Sequence, residues 1–407
     1  MSSISHCAVQ FHYSRKTGGV LLARLISPLC VFYWVGLQLH RLQQCTFNKP
    51  LRSDDFEKKP FIISVGNITT GGTGKTPIVI DLASYFLKNN KTVLILSRGH
   101  AATQTSTDGQ VNTAQEGDEA FLIQQKVPGA FVRVGKDRKS LLNTWVKELS
   151  PDVVILDDGF QYRRIQPDFS IVLLDGNRLL GNGYLLPVGP LREPIGALKR
   201  ANCLIQTKAI SPENQKKVLE IKKQSGHPAL VSFTAPFQAS QVLTAKDWMA
   251  VYTGQSSASN DIATSAQKEH VLLKGACLLV SGIADPQSFE SAVLKLGGKI
   301  VKHCIFPDHA TYPADSVNRI VQAFHQLNNN PTEQLTDSPT EPGNSCELKL
   351  ITTEKDAVKL LPKLPQAVLA HAAVLCVAPQ LPEELFKQLD LSLVKIKNGE
   401  ETAVIRQ

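Results

Sequence analysis

Runs of β-branched and aliphatic residues alternate with stretches whose apolar positions recur every three or four residues, and this alternation carries through the first half of the chain. The extended runs fall at residues 61–65, 92–97, 130–134, 152–156, 171–174, 203–206 and 230–233, with helical spacing at 78–87, 119–126 and 140–149. Val153, Val154, Ile155 and Leu156 form an unbroken apolar run, as strands do when both faces of a parallel sheet are covered. Strand and helix in turn predict an α/β fold, a parallel sheet layered with helices.

A polar stretch rich in Ser, Ala and Thr at residues 253–268 breaks the rhythm. A second set of extended runs follows at 276–281, 303–306, 348–352 and 374–377, with a helix at 289–296. Residues 328–346 open on Asn328, Asn329 and Asn330, continue in Pro, Thr and Ser, and are expected to form a flexible surface insertion. The pattern thus predicts an N-terminal hydrophobic segment over 1–50, a core domain over 51–240, a linker over 241–272 and a smaller α/β domain over 273–407.

The first extended run leads into Gly66-Asn67-Ile68-Thr69-Thr70-Gly71-Gly72-Thr73-Gly74-Lys75-Thr76, then Pro77 and a helix. Glycines let successive backbone N–H groups turn toward one anion, and the helix adds its positive N-terminal end. In this reading Thr69, Thr70, Gly71, Gly72, Thr73, Gly74, Lys75 and Thr76 cradle a nucleoside triphosphate. Lys75 reaches the outer phosphates, and the Thr76 hydroxyl holds a magnesium ion. Thr69 stands where the G-x-x-x-x-G-K-[ST] pattern has its first glycine. Strand, loop, Lys-Thr and helix nevertheless stand in the order the motif requires, against the alternative of a glycine-rich turn that binds nothing.

A formal net charge of +8 favours an acidic partner: nucleic acid, an anionic lipid surface or a phosphorylated substrate. Nucleic acid is not expected, since the sequence has no aromatic-interleaved basic stripe, zinc-finger spacing or RNA-binding signature. The eight cysteines are scattered without a C-x-x-C pair, which fits reduced thiols in a cytosol. Residues 20–42 are rich in Leu, Val, Phe and Trp, but Arg24 and Pro28 interrupt them. The uninterrupted part, 29–39, is shorter than the roughly 20 residues a bilayer span needs. No small-residue cleavage site follows, which argues against a signal peptide. Two alternatives remain: a buried core helix, or a helix in the membrane interface, where Phe32, Tyr33, Trp34 and Arg41 are all favourable.

Asp157 and Asp158 follow an apolar run. There a carboxylate can hold magnesium beside a phosphate loop, or a solvated turn can simply end a strand. Gly117-Asp118-Glu119 is a second acidic site at a helix start, which a cap would also explain. In Gly189-Pro190-Leu191-Arg192-Glu193-Pro194 the Arg can bind phosphate or pair with the Glu. His309, in Phe306-Pro307-Asp308-His309, is either structural or placed to tune a general base.

Together these segments resemble one family, the tetraacyldisaccharide 4′-kinases of lipid A synthesis. The residues that carry the resemblance are Val65 to Pro77, Ser97-Arg98-Gly99, Gly117-Asp118-Glu119, Asp157 to Gln161 with Arg163-Arg164, Leu186 to Pro194, Phe306 to His309 and Thr352 to Ala357. They extend over residues 20–378. The missing first glycine is usual in that family. Tyr162 stands where a His is common, and Ala310 where a second His is frequent.

The resemblance implies a P-loop NTPase-like parallel-sheet core with a second, smaller α/β domain and an N-terminal membrane-interface helix. It implies transfer of the ATP γ-phosphoryl group to the 4′-hydroxyl of a tetraacyl disaccharide 1-phosphate, giving the 4′-phosphorylated lipid A precursor (lipid IVA). Asp118 would be the general base, with His309 completing a dyad. Lys75 and the loop amides would hold the phosphates, and Thr76 and Asp157 the magnesium, supported by Asp158 and Glu193. Glu119, Arg138, Gln161 and Arg192 are expected at the substrate or in the network around it. Four acyl chains keep such an acceptor in the bilayer. The N-terminal helix and the positive charge are therefore expected to hold the protein peripherally on the cytoplasmic face of the bacterial inner membrane. A kinase of a soluble metabolite or a nucleotide-switch ATPase would not require the segments 186–194 and 306–309.

Overall fold

The computed structural model describes residues 28–46, 49–99, 118–208, 211–252, 273, 275–308, 310–329 and 348–398. The chain enters on helix α1 (Leu29–Thr46) and then builds a seven-stranded parallel sheet. Its strands are β1 (Phe61–Asn67), β2 (Val93–Ser97), β3 (Phe131–Val134), β4 (Val153–Asp157), β5 (Phe169–Asp175), β6 (Cys203–Thr207) and β7 (Val231–Ala235), in the order β3-β2-β4-β1-β5-β6-β7. Every residue of β1, β2, β4, β5 and β6 is buried, which is why these stretches read as unbroken apolar runs.

The side chains of β1 divide between two cores. Phe61, Ile63 and Val65 join the inward faces of α2 (Lys75–Lys88) and α3 (Asp118–Lys126). Ile62 points the other way and joins Leu142 and Val146 of α4 (Arg138–Leu149). Helix α5 (Pro212–Gln224) packs Val218 and Ile221 with Val172 and Leu204 in a further cluster.

The described residues up to Phe237, together with those from Pro379 onward, form one compact unit, and Gln238–Ala378 form a second. The sheet of the second unit contains β8 (Phe237–Thr244), β9 (Gly275–Ser281), β10 (Gly298–Ile305), β11 (Lys349–Thr353) and β12 (Ala372–Pro379), ordered β10-β9-β11-β12-β8. Its helices include α6 (Ala245–Tyr252), α7 (Pro286–Lys295), α8 (Ala314–Asn329) and α9 (Glu354–Leu360). The buried Asp356 carboxylate gathers three segments of this unit. It accepts hydrogen bonds from the Tyr312 hydroxyl (2.8 Å), the Gly282 amide (2.9 Å) and the Thr353 hydroxyl (2.7 Å).

Two expected boundaries are corrected. Residues 241–252 are not linker: they complete β8 and form α6. Residues 273–407 are not one domain, because helix α10 (Glu383–Lys397) returns to the first unit. Leu385, Leu389, Leu393 and Ile396 enter the same core as Phe61 and Phe86, and Phe386 stacks on Tyr85 with ring centroids 4.2 Å apart. An amphipathic pattern states that a helix needs an apolar partner but not which one. Asn328 and Asn329 end α8, and the rest of the expected insertion lies outside the described residues, as do 253–268 and 20–27. Among the described residues no helix is long and apolar enough to cross a membrane.

Leu389→Ala, on the returning helix, is expected to destabilise the first unit by about 2–5 kcal/mol. The exposed Leu391→Ala should stay within about 0.5 kcal/mol of the parent. Urea unfolding followed by Trp145 fluorescence, with Trp34 and Trp248 replaced by Phe in parent and variants alike, would measure both.

Candidate active site

Strand β1 runs into the glycine loop, which turns into α2. Gly71 and Gly74 hold φ of +98° and +82°, a region side chains with a Cβ rarely adopt. A Cβ on Gly74 would also lie 2.3 Å from Phe237 Cζ. Thr69 behaves differently from a loop glycine. It forms an antiparallel bridge with Leu191, flanked by bonds from Thr70 N to Pro190 O (2.7 Å) and from Arg192 N to Ile68 O (2.8 Å). An extended, paired backbone favours a β-branched residue, so the pattern's first glycine has no role here. On the other flank the Thr207 hydroxyl donates to Thr73 O at 2.8 Å.

Parallel register sets Val65 opposite Asp157 and so brings the end of β4 beside the loop. The turn after β4 lies directly on β1: Gly159 N donates to Val65 O at 3.0 Å, and a Cβ on Gly66 would meet Phe160 Cβ at 2.5 Å. The two carboxylates of this turn have opposite environments. Asp157 is 3% exposed; one oxygen accepts from Ser97 Oγ at 2.9 Å, and the other, Oδ1, is buried without a hydrogen-bond partner among the described residues. Burial first, then the Glu119 charge, pushes its pKa up to about 6 against the attraction of Lys75.

Asp158 sits at φ +50°, which Asp tolerates better than most residues. Burial acts to raise its pKa as well. Lys75, at 3.5 Å, and a two-pronged Arg192 fork, at 3.0 and 3.2 Å, outweigh burial and hold it well below the usual carboxylate range.

Around this pair the polar groups interlock. Arg192 also donates to Asn67 Oδ1 at 3.1 Å, and Gln161 Nε2 donates to Asn67 O at 2.7 Å. Arg138 lies buried over the Tyr162 ring and donates to the backbone oxygens of Asp157 (2.7 Å) and Asp158 (3.2 Å). Its guanidinium therefore fixes the turn from below. Glu193 is 1% exposed and receives two bonds from Arg200 (3.0 and 3.1 Å), with Arg163 at 3.7 Å. Helix α1 is fastened to the same loop: Cys30 Sγ–H donates to Leu185 O at 3.2 Å, and the Tyr33 hydroxyl to Arg192 O at 3.1 Å.

The structure thus gathers the glycine loop, Lys75, Asp157, Asp158, Glu119, Arg138, Gln161, Arg192 and Glu193 in the first unit. Asp118 is the first residue of α3, while its side chain, Gly117 and His309 lie outside the described residues. Asn67 and Ser97, which lay in the quoted segments without an assigned role, and Arg200, which the sequence did not point to, also belong to the network. The available signal was a polar residue closing a buried apolar strand, as Asn67 and Ser97 close β1 and β2. Among the described residues no three His, Cys, Asp or Glu side chains cluster as a metal cage. Magnesium held chiefly by substrate phosphates needs few protein oxygens, and the unpartnered Asp157 Oδ1 with the Thr76 hydroxyl fits that donor set.

Comparison with known proteins gives a consistent picture. The family described as LpxK, tetraacyldisaccharide-1-P 4′-kinase, matches residues 22–394. The tetraacyldisaccharide 4′-kinase of Pelobacter propionicus is 32% identical over 83% of this chain and 84% of its own. That of Geobacter sulfurreducens is 33% identical over 81% and 83%. Among solved structures, LpxK from Aquifex aeolicus in complex with ATP superposes with a TM-score of 0.59 at 25% identity, covering 91% of this chain and 99% of that one.

The raised Asp157 pKa carries a stability consequence. Its folded value of about 6 lies above the unfolded value of about 3.9, so the native state binds the proton more tightly. The stability this group contributes is full below about pH 4 and is lost as pH rises through 6. Asp157→Asn is therefore expected to match the parent near pH 4. It should gain on the parent up to about pH 7, by at most about 3 kcal/mol, in thermal melts taken across that range.

Proposed function

The chain belongs to the tetraacyldisaccharide 4′-kinase family, an ATP-dependent activity of lipid A synthesis, and on that premise we propose how its residues divide the reaction. The chain phosphorylates the 4′-hydroxyl of an acylated disaccharide 1-phosphate with ATP as donor. A sugar hydroxyl is a poor nucleophile, so transfer needs a positioned base and strong neutralisation of phosphate charge.

The loop amides of residues 71–76 and Lys75 bind the triphosphate, with the α2 N-terminus behind them, while the Thr70 amide is held by Pro190 O. Thr76 and Asp157 would hold magnesium, which when bound would neutralise charge on the transferring phosphoryl group. Asp158 and Glu193 support this arrangement as fixed partners of Lys75, Arg192 and Arg200. Asp118, opening α3 next to Glu119, accepts the proton of the acceptor hydroxyl, and His309 orients it. Arg192, Gln161 and Arg138 keep the carboxylates, and through them the donor phosphate, in place. The observation that carries this reading is the orphan Asp157 oxygen buried beside a glycine loop whose lysine already faces Asp158.

The acceptor's acyl chains place the work at a bilayer surface. Helix α1 exposes Leu29, Val31, Phe32, Trp34, Val35, Leu39 and Leu42, with Phe32 at 75% exposure. That face suits the interface of the cytoplasmic leaflet, while Tyr33 and Cys30 hold the helix to the loop bearing Arg192. The net charge of +8 favours anionic lipid.

With γ-labelled ATP and the acylated acceptor, label should appear in a chloroform-soluble glycolipid, whereas release of free phosphate alone would point to a nucleotide switch. Asp118→Ala is expected to lower transfer by about 10²–10⁴-fold while ATP binding persists. Lys75→Ala should impair both. Near-parental transfer by Asp118→Ala would remove it as the base. Deleting the residues before Leu51 should release the protein from vesicles containing anionic lipid; a shortened protein still bound and active would sink the interfacial role.

A further inference from the structure

We infer that Arg178 is a further catalytic residue, an arginine supplied in cis to the outer phosphates of the bound nucleotide. The inference rests on the ATP-binding reading above and extends it to the other flank of the loop. Strand β1 has β4 on one side and β5 on the other. The β4 side brings the carboxylates and their cations. The β5 side ends in Asp175 and the turn Gly176-Asn177-Arg178, whose chemistry nothing above uses.

The turn is built as a mount. Asp175, 3% exposed, accepts the amides of Asn177 (2.9 Å) and Arg178 (3.2 Å) on Oδ1, while Oδ2 accepts the Lys208 ammonium at 2.6 Å. Gly176 N donates to Thr207 O at 2.8 Å, and Asn214 Nδ2 donates to Gly176 O at 2.6 Å. Thr207 in turn holds Thr73 through its hydroxyl, so mount and phosphate loop share one anchor. Lys208 meets the charge of Asp175 from the β6 side.

The Arg178 guanidinium reaches the loop itself. A Cβ built on Gly71 would lie 3.6 Å from Arg178 Nη1. Gly71 and Gly72 are exposed and form the lip of the loop, whereas Gly74 and Lys75 lie where it enters α2. The loop therefore has a cation on each flank, Lys75 toward β4 and Arg178 toward β5. At that distance a Cβ on Gly71 would only touch the guanidinium, so it is the φ of +98° that keeps this position a glycine.

The chemistry gives that second cation a role. The bond from the γ-phosphorus to the β–γ bridging oxygen breaks, and a bond to the acceptor 4′-oxygen forms. The hydroxyl proton passes to Asp118, and the electron pair stays on the departing ADP. Negative charge grows on the bridging oxygen and spreads over the phosphoryl oxygens. A guanidinium fixed on the lip of the loop offers paired donors to that charge.

Kinetics with the full-length protein, ATP and acylated acceptor test this. Arg178→Ala is expected to lower kcat by about 10³-fold while the Kd for a fluorescent ATP analogue changes by less than about tenfold. Added guanidinium ion should restore part of the rate. Arg178→Lys should stay at least about tenfold down, because an ammonium lacks the two-pronged donor set. Retention of kcat within about threefold in Arg178→Ala would overturn the inference. A loss confined to ATP affinity and untouched by guanidinium ion would do the same.

Melting temperatures accompany each variant, and Arg178→Lys and Arg178→Gln carry the comparison if the alanine protein does not fold. Slow ATP hydrolysis to water is measured alongside. A parent that labels no glycolipid overturns the acceptor reading, while the hydrolysis rates of the variants still judge Arg178.

Discussion

Two neighbouring carboxylates are buried at the end of β4, and the conditions under which that is tolerable organise the loops around them. Like charges in a medium of low polarisability cannot both ionise without partners. Asp158 is stabilised as an anion by cations from two places, Lys75 at the start of α2 and Arg192 from the loop 189–194. Asp157 has a single hydroxyl donor and retains affinity for a proton. The backbone carrying both is clamped by Arg138, which spends its charge on carbonyl oxygens rather than on a carboxylate. This asymmetry makes one acid a fixed counter-ion and leaves the other holding its proton up to about pH 6.

Much of this was legible in the sequence, for identifiable reasons. β1, β2, β4, β5 and β6 are buried on both faces and so appear as apolar runs, and the phosphate loop is encoded within consecutive residues. Pairings distant in sequence were not legible. Arg192 and Glu193 stand side by side and admit a mutual ion pair. The structure instead sends Arg192 to Asp158 and Glu193 to Arg200 and Arg163. β8 was hidden because none of its positions is buried and polar residues interrupt its apolar ones, as befits a strand at the edge of a sheet. β10 begins at Gly298, ahead of the expected 303, because Lys299 and Lys302 mask an edge strand in the same way.

The identity of Thr69 shows how a local departure is resolved by a distant contact. As an isolated motif the loop lacks a glycine; paired with Leu191, the same residue is an ordinary extended position. The bridge also bears on the carboxylates, because the backbone that fixes Thr69 is the backbone that presents Arg192 to Asp158. Donor loop and carboxylate clamp are consequently one hydrogen-bonded piece, and Tyr33 adds α1 to it.

The return of α10 to the first core has a consequence for the order of events at the ribosome. The chain leaves the first unit after Phe237 and re-enters at Pro379, where Gln380 N donates to Pro236 O at 3.0 Å. Domains usually fold from the N-terminus as they emerge. Here the inserted unit has left the exit tunnel entire while Leu385, Leu389, Leu393 and Ile396 are still to come. The nucleotide-binding unit begins first in sequence and finishes last in time. Until α10 emerges, the apolar surface around Phe86 that receives it lacks its covering helix.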